Sequence, residues 1–274
     1  MRIFAFADEA SPNIDEQIIA LKRNNLSGLE IRNVDGVNVS EITLEKAKEV
    51  RKKLDANGLI TWSVGSPIGK IRFERDDFSQ HLEKFKHTLE IAQILGAENI
   101  RLFSFYPPKE KLIEPYRDEV MERLGCFIDL AKDTGIDLCH ENEKGIYGDV
   151  AERCVDIHKT FPVLKAIFDP ANFVQCGEDT IKAWELLKPY VKYMHIKDAL
   201  ADGSVVPAGA GIGNVKKIYS DFKGDVTIEP HLKVFAGLDK LENEDEKSVV
   251  GRFVYNSNDE AFDVACNAFK EIAL

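Results

Sequence analysis

Short apolar segments alternate with longer amphipathic ones from one end of this chain to the other, and few folds accept that rhythm. The short segments are Ile3–Ala7, Gly28–Arg32, Ile60–Val64, Asn99–Phe103, Asp137–Glu141, Ala166–Asp169, Tyr193–Lys197 and Asp225–Glu229. The segments with helical spacing are Ile14–Asn25, Thr43–Asn57, Phe78–Leu95, Tyr116–Thr134, Val150–Thr160, Thr180–Leu187, Val215–Phe222 and Asp259–Ile272. Apolar runs too short for helices, separated by stretches with helical periodicity, read as strands joined by crossover helices. Such repetition implies a parallel sheet. Eight units, each about one-eighth of the chain, favour closure into a (β/α)8 TIM barrel. The alternative is an open doubly wound sheet, but no GxGxxG follows the first strand. Gly58, Gly96 and Gly135 each stand between a helix and the next strand, where helix-ending glycines belong. Ser40 and Ser79 are expected as helix N-caps. No Pro/Gly/Ser-rich linker interrupts the series, so residues 1–274 are expected to form a single domain.

The chain's 274 residues, 44% of them hydrophobic, are enough to bury a large core without disulfides. Its formal net charge of -11 opposes binding to nucleic acid, which needs clustered Lys and Arg against phosphates. The five cysteines are odd in number and show no CxxC spacing, as expected for reduced thiols in the cytoplasm. The first residues, MRIFAFADEAS, turn acidic too soon for a signal peptide, and no apolar run approaches the roughly 20 residues of a membrane span. A soluble, cytoplasmic protein is therefore expected. One segment breaks the rhythm: the acidic stretch Leu238–Lys247 and then Ser248–Asn258. It reads as a solvated surface excursion, with a cover over the barrel mouth or a homodimer contact as the alternative.

Barrel active sites lie at the C-terminal ends of the strands. Strand five ends in Glu141, strand six in Asp169 and strand eight in Glu229, while strand seven carries His195. The intervals of 28, 26 and 34 residues each match one βα unit, so four consecutive strands offer one ligand each at the same end. Three carboxylates gathered in a core repel one another unless a cation compensates. With one imidazole they suit Mn²⁺, Zn²⁺, Co²⁺ or Mg²⁺, and one such ion is expected. Around them, Glu30 on strand two can enter the mouth as a substrate- or ligand-orienting group. Lys197 shares the face of His195 and is a candidate for a substrate hydroxyl, carboxylate or phosphate. His231, two residues past Glu229, is a further candidate mouth residue. Gly209, Gly211 and Gly213 offer either a phosphate-cradling loop or a plain turn.

At this point the chain resembles the xylose-isomerase-like TIM-barrel superfamily, and within it the sugar phosphate isomerase/epimerase branch. The matching pieces are Gly28-Leu-Glu-Ile-Arg32, Leu95-Gly-Ala, Gly135-Ile-Asp-Leu-Cys-His-Glu-Asn142, Phe168-Asp-Pro-Ala-Asn172, His195-Ile-Lys-Asp198, Pro207-Ala-Gly209 and Ile228-Glu-Pro230. They run in order over essentially the whole chain. The resemblance implies that Glu141, Asp169, His195 and Glu229 bind one divalent metal. The substrate-contacting positions depart from the ketohexose epimerases: Asn172 and Tyr193 stand where histidines are usual, Ala201 where an arginine is, and Ala210 where many relatives have a glutamate. Asn172 thereby becomes a candidate substrate contact.

The reading that follows is a metal-dependent isomerase or epimerase of a small carbohydrate, sugar or sugar phosphate, working through an enediolate. Glu141 and Glu229, on strands five and eight, can flank the substrate as acid and base, while Asp169 and His195 mainly hold the metal. A lyase dehydrating a cyclic polyol ketone would start with the same proton abstraction. A non-catalytic sugar-binding protein is the rival from another class. A DNA-repair endonuclease is disfavoured, because only six histidines are present to build a multinuclear cluster.

Overall fold

The computed structural model describes residues 1–236, 238, 250 and 253–273. Eight parallel strands close into a barrel: β1 (Ile3–Ala5), β2 (Gly28–Ile31), β3 (Ile60–Val64), β4 (Asn99–Leu102), β5 (Asp137–Glu141), β6 (Lys165–Phe168), β7 (Val191–Ile196) and β8 (Val226–Ile228). Each pairs with its sequence neighbours, and β8 pairs with β1 through Ile3↔Val226 to Ala5↔Ile228. The expected (β/α)8 barrel is the observed architecture. Helices α1 (Ile14–Arg23), α2 (Leu44–Ala56), α3 (Phe78–Leu95), α4 (Arg117–Ala131), α5 (Ala151–Thr160), α6 (Pro170–Gln175), α7 (Thr180–Leu187), α8 (Val215–Phe222) and α9 (Asn258–Ala273) fill the connections and the C-terminal end.

Capping chemistry sets the helix starts. Asn13, Thr43, Asp77 and Asp179 each accept backbone N–H groups in the first turn of the helix that follows. The expectation of serine caps is corrected here. Ser79 N–H itself donates to Asp77, whose charged carboxylate is the stronger acceptor. Ser40 lies within a 3-10 turn whose cap is Asn38. Gly96 ends α3 at φ 67°, in the left-handed region that costs a glycine little.

The main apolar core lies between the sheet and the helices. Inside the barrel, Phe4, Trp62, Cys139, Ile167 and Tyr193 form a separate buried cluster. Phe4 stacks on Trp62 at 5.0 Å, and Trp62 meets Tyr193 edge-on at 5.7 Å. Alternation along β5 and β7 then turns Glu141 and His195 inward, two residues above this apolar floor. All five cysteines are free thiols. No helix among the described residues is long and apolar enough to cross a membrane. Apart from Leu238, which is buried, the acidic stretch to Lys247 lies outside the described residues.

Candidate active site

Glu141 closes β5, Asp169 follows β6, His195 lies within β7 and Glu229 follows β8. One donor atom from each lies within 4.8 Å of all the others, and all four residues are buried. The atoms converge on His195 Nδ1, which stands 2.8 Å from Glu141 Oε1, 3.5 Å from Glu229 Oε2 and 4.0 Å from Asp169 Oδ2. The four residues singled out at consecutive strand ends therefore do form one cluster.

Each is held by a distinct local device. Asp169 caps α6: its side chain accepts from Asn172 N–H, and Pro170 begins the helix, which explains the run Asp-Pro-Ala-Asn. One oxygen is thus committed to the cap and Oδ2 faces the cluster. Asn142 clips the ends of β5 and β6 together. Its amide donates to Asp169 carbonyl oxygen, and its own oxygen accepts Asp169 N–H, both at 2.9 Å. His195 presents its other nitrogen, Nε2, to Glu30 Oε2 at 3.1 Å. Glu30 sits where the β2–β3 register shifts, and its Oε1 accepts from Tyr193 hydroxyl at 3.0 Å. Glu30 is fully buried, so it is placed to orient His195.

Cations brace the carboxylates. Arg101 donates to Glu141 Oε2 at 3.0 Å. Arg32 reaches Asp8, Glu9 and, at 3.4 Å, Glu229 Oε1. The two guanidinium carbons stand 5.0 and 4.4 Å from the ring of Phe6, whose edge meets His195. Lys197 Nζ pairs with Asp169 Oδ2 at 2.8 Å and Glu229 Oε2 at 2.9 Å. His231, with φ 44°, faces Glu9 at 3.1 Å and Glu229 at 3.6 Å. Asn172 donates to Asn142 carbonyl oxygen at 2.9 Å and stands 3.5 Å from Glu141 Oε1. All the sequence-selected site residues thus border the cluster. Arg101, Arg32 and Glu9 escaped selection. Arg101 carried a signal: an arginine among the apolar residues of a barrel strand, two positions from Asn99 and so on the same face.

The glycine loop has a different role from the phosphate cradle considered above. Gly209, Gly211 and Gly213 donate their N–H groups to the Asp198 carboxylate at 2.9, 3.1 and 2.8 Å, and Ala199 N–H adds a fourth bond at 2.9 Å. A Cβ on Gly211 would lie 2.3 Å from Asp198 Oδ1. The anion that this loop wraps is the chain's own.

The electrostatics show how costly the cluster is. Burial disfavours the imidazolium of His195, yet Glu141 and Glu30 outweigh it and hold its pKa well above the usual value. Burial, helped by Glu229 and Glu141 against the pull of Lys197, pushes Asp169 up to about 7. Burial also opposes ionisation of Glu229, but Lys197 and His231 keep it well below the usual range. Of the cluster's carboxylates, Asp169 is the one whose charge burial and the neighbouring Glu229 and Glu141 oppose more than Lys197 offsets. The donor set fits a divalent ion: three carboxylates, an imidazole nitrogen turned toward them, and a carboxylate behind that imidazole. Asp169 Oδ2 fits as well. It is buried and takes no hydrogen bond of acceptable geometry, although Lys197 Nζ stands close to it.

Comparison with solved structures shows the same fold in several proteins. The IolI protein with a bound zinc atom superposes with a TM-score of 0.75 at 13% identity, covering 100% of this chain and 98% of that one. D-psicose 3-epimerase in the presence of D-fructose gives 0.77 at 17%, covering 99% and 98%. The probable 3-DHS dehydratase AsbF of Bacillus anthracis, involved in petrobactin synthesis, gives 0.73 at 15%, covering 98% and 99%. Comparison with curated proteins found no match. The model of the xylose isomerase-like TIM barrel matches residues 19–224, and the chain belongs to that family.

Proposed function

We propose that this protein is a divalent-metal-dependent isomerase or epimerase of a small sugar or sugar phosphate, within the isomerase/epimerase branch of its family, acting through an enediolate. The observation that carries the reading is the convergence of Glu141, Asp169, His195 and Glu229 on one buried point. A divalent ion supplies Lewis-acid polarisation of a substrate carbonyl, which makes the neighbouring C–H acidic enough to remove. Asp169 and His195 serve as ligands, and Glu30 fixes the imidazole so that Nδ1 points into the cluster.

Glu141 and Glu229 are ligands and also the acid/base pair. They come from opposite flanks of the four-strand arc, and each is braced by a guanidinium on its outer oxygen, Arg101 or Arg32. Those contacts restrain the carboxylates while leaving Glu141 Oε1 and Glu229 Oε2 on the inner side. One, ionised, takes the proton beside the carbonyl; the other, carrying a proton drawn from solvent, gives that proton to the opposite face or the adjacent carbon, and the first then releases its proton to water. Asn172, Lys197 and His231 are the proposed substrate contacts. The likeness to D-psicose 3-epimerase agrees with sugar chemistry. The likeness to a probable dehydratase keeps a lyase on the same cluster as the second reading, since it begins with the same proton abstraction.

The test is carbon–proton exchange in D₂O with candidate ketoses, their phosphates and cyclic polyol ketones, after loading with Mn²⁺. Glu141→Gln and Glu229→Gln, compared at full metal occupancy, should each slow exchange by roughly 10²–10⁴-fold. Exchange near the wild-type rate in both variants refutes the acid/base assignment. Absence of any exchange by wild type favours a sugar-binding protein.

A further inference from the structure

Among the described residues, three Arg and Lys side chains touch the carboxylates of the cluster, and they do not touch them alike. Arg101 holds Glu141 by Oε2 and Arg32 holds Glu229 by Oε1, so both brace oxygens turned away from His195 Nδ1. Lys197 is different. Its Nζ pairs with Asp169 Oδ2 at 2.8 Å and Glu229 Oε2 at 2.9 Å, and these are the oxygens that face His195 Nδ1. A divalent ion ligated by the cluster needs those same two oxygens. The side chain of Lys197 is only 6% exposed. The nearby Glu143 is already paired with Lys70 at 2.8 Å.

We infer that Lys197 and the divalent ion contend for Asp169 Oδ2 and Glu229 Oε2, and that the displaced ammonium then binds a carboxylate on the substrate. The inference rests on the metal-centre reading above and adds the substrate class and the coupling. A buried ammonium separated from its carboxylates is unstable without a new anionic partner. Lysine's flexible four-carbon stem lets the charge swing to one without moving the backbone. A carboxylate fits better than a phosphate ester. The glycine loop after β7, the feature most suited to phosphate, already spends its N–H groups on Asp198. The substrate is then a polyhydroxy acid, and metal and substrate carboxylate bind with positive coupling, each raising the affinity for the other.

The test is calorimetric titration with Mn²⁺ of wild type, Lys197→Met and Lys197→Gln, each shown by thermal melting to be folded. Each titration is run alone and with D-glucuronate, D-glucose or inorganic phosphate. Both variants should bind Mn²⁺ more tightly than wild type, because the contending charge is gone. D-glucuronate should raise the Mn²⁺ affinity of wild type by about 5–150-fold, the usual span of such coupling, and should leave both variants unmoved. D-glucose should have no effect, and phosphate less than D-glucuronate. Equal or weaker Mn²⁺ binding by the variants overturns the inference, as does coupling to D-glucuronate that is absent in wild type or survives in the variants. Coupling to phosphate as strong as to D-glucuronate overturns the substrate class. If no form takes up Mn²⁺, the metal-centre reading falls and this inference with it. If wild type binds Mn²⁺ but shows no contest with Lys197, this inference alone falls.

Discussion

Replacing Asp198 by Asn tests whether the loop after β7 is built around an internal anion. Asp198 Oδ1 accepts from Ala199 and Gly213, and Oδ2 accepts from Gly209 and Gly211, at 2.8–3.1 Å in a fully buried position. An amide of the same shape has one oxygen and one NH₂. Whichever way it turns, two backbone N–H groups face a donor and lose their acceptor. A buried donor left unsatisfied costs about 1–3 kcal/mol, so the pair costs roughly 2–6 kcal/mol. With an unfolding entropy of about 2.1 cal/mol/K per residue, a chain of this size loses roughly 2 °C for each kcal/mol. Asp198→Asn should therefore melt about 4–10 °C below wild type in scanning calorimetry, with a matching fall in the urea midpoint. Mn²⁺ binding should be little changed, because Asp198 takes no part in the four-residue cluster. The reasoning is refuted if the variant lies within about 0.5 kcal/mol of wild type, the ordinary range of surface changes. It is refuted equally if millimolar phosphate restores the lost stability, for the loop would then be open to an external anion.

Glu30→Gln removes the carboxylate behind His195 and should weaken Mn²⁺ binding by roughly 10–100-fold; unchanged affinity in a titration means that Glu30 does not orient the imidazole. Asp169→Ala should lower metal affinity while the barrel still unfolds cooperatively, because the apolar core supplies most of its stability; a variant that binds Mn²⁺ as tightly as wild type removes Asp169 from the ligand set. His158 and His81 are both held at about 4, below the usual 6.5, chiefly by burial, and in His81 Nε2 accepts Gly69 N–H at 2.8 Å. Their folded pKa values lie below the unfolded one, so the unfolded chain binds protons first as pH falls. Their contribution is complete above pH 6.5 and drains away between 6.5 and about 4, by roughly 3 kcal/mol each. Urea unfolding at pH 7 and 4.5 should show the loss in wild type and a flatter response in His81→Gln/His158→Gln; an equal loss in both proteins contradicts the assignment.

The barrel was legible because its signals are local. Every predicted strand, from Ile3–Ala7 to Asp225–Glu229, overlaps an observed one with ends within two residues. Each is a short apolar run between helical stretches, and eight of them in parallel leave few ways to close a sheet. The convergence of Glu141, Asp169, His195 and Glu229 was legible for a related reason. Equivalent ends of consecutive parallel strands share one rim, so spacing alone brings them together. Helix caps were less legible at Ser40 and Ser79, since a better acceptor two residues upstream competes at short range in each case.

Sequence by itself determined the rim on which the chemistry-bearing side chains gather and which side chains share a strand face. It did not determine which oxygen meets which cation. That Arg101 braces Glu141 from outside while Lys197 lies on the inner oxygens depends on strand stagger and on the reach of each side chain across the lumen. The pairing of His195 with Glu30 spans 165 residues and one such shift of register. The spacing of the glycine loop likewise left a phosphate cradle and a plain turn both open, and only the fold puts the Asp198 carboxylate against its N–H groups. Periodicity reports the face on which a residue lies. Only barrel closure sets the distances, and ion pairs and hydrogen bonds change over fractions of an ångström.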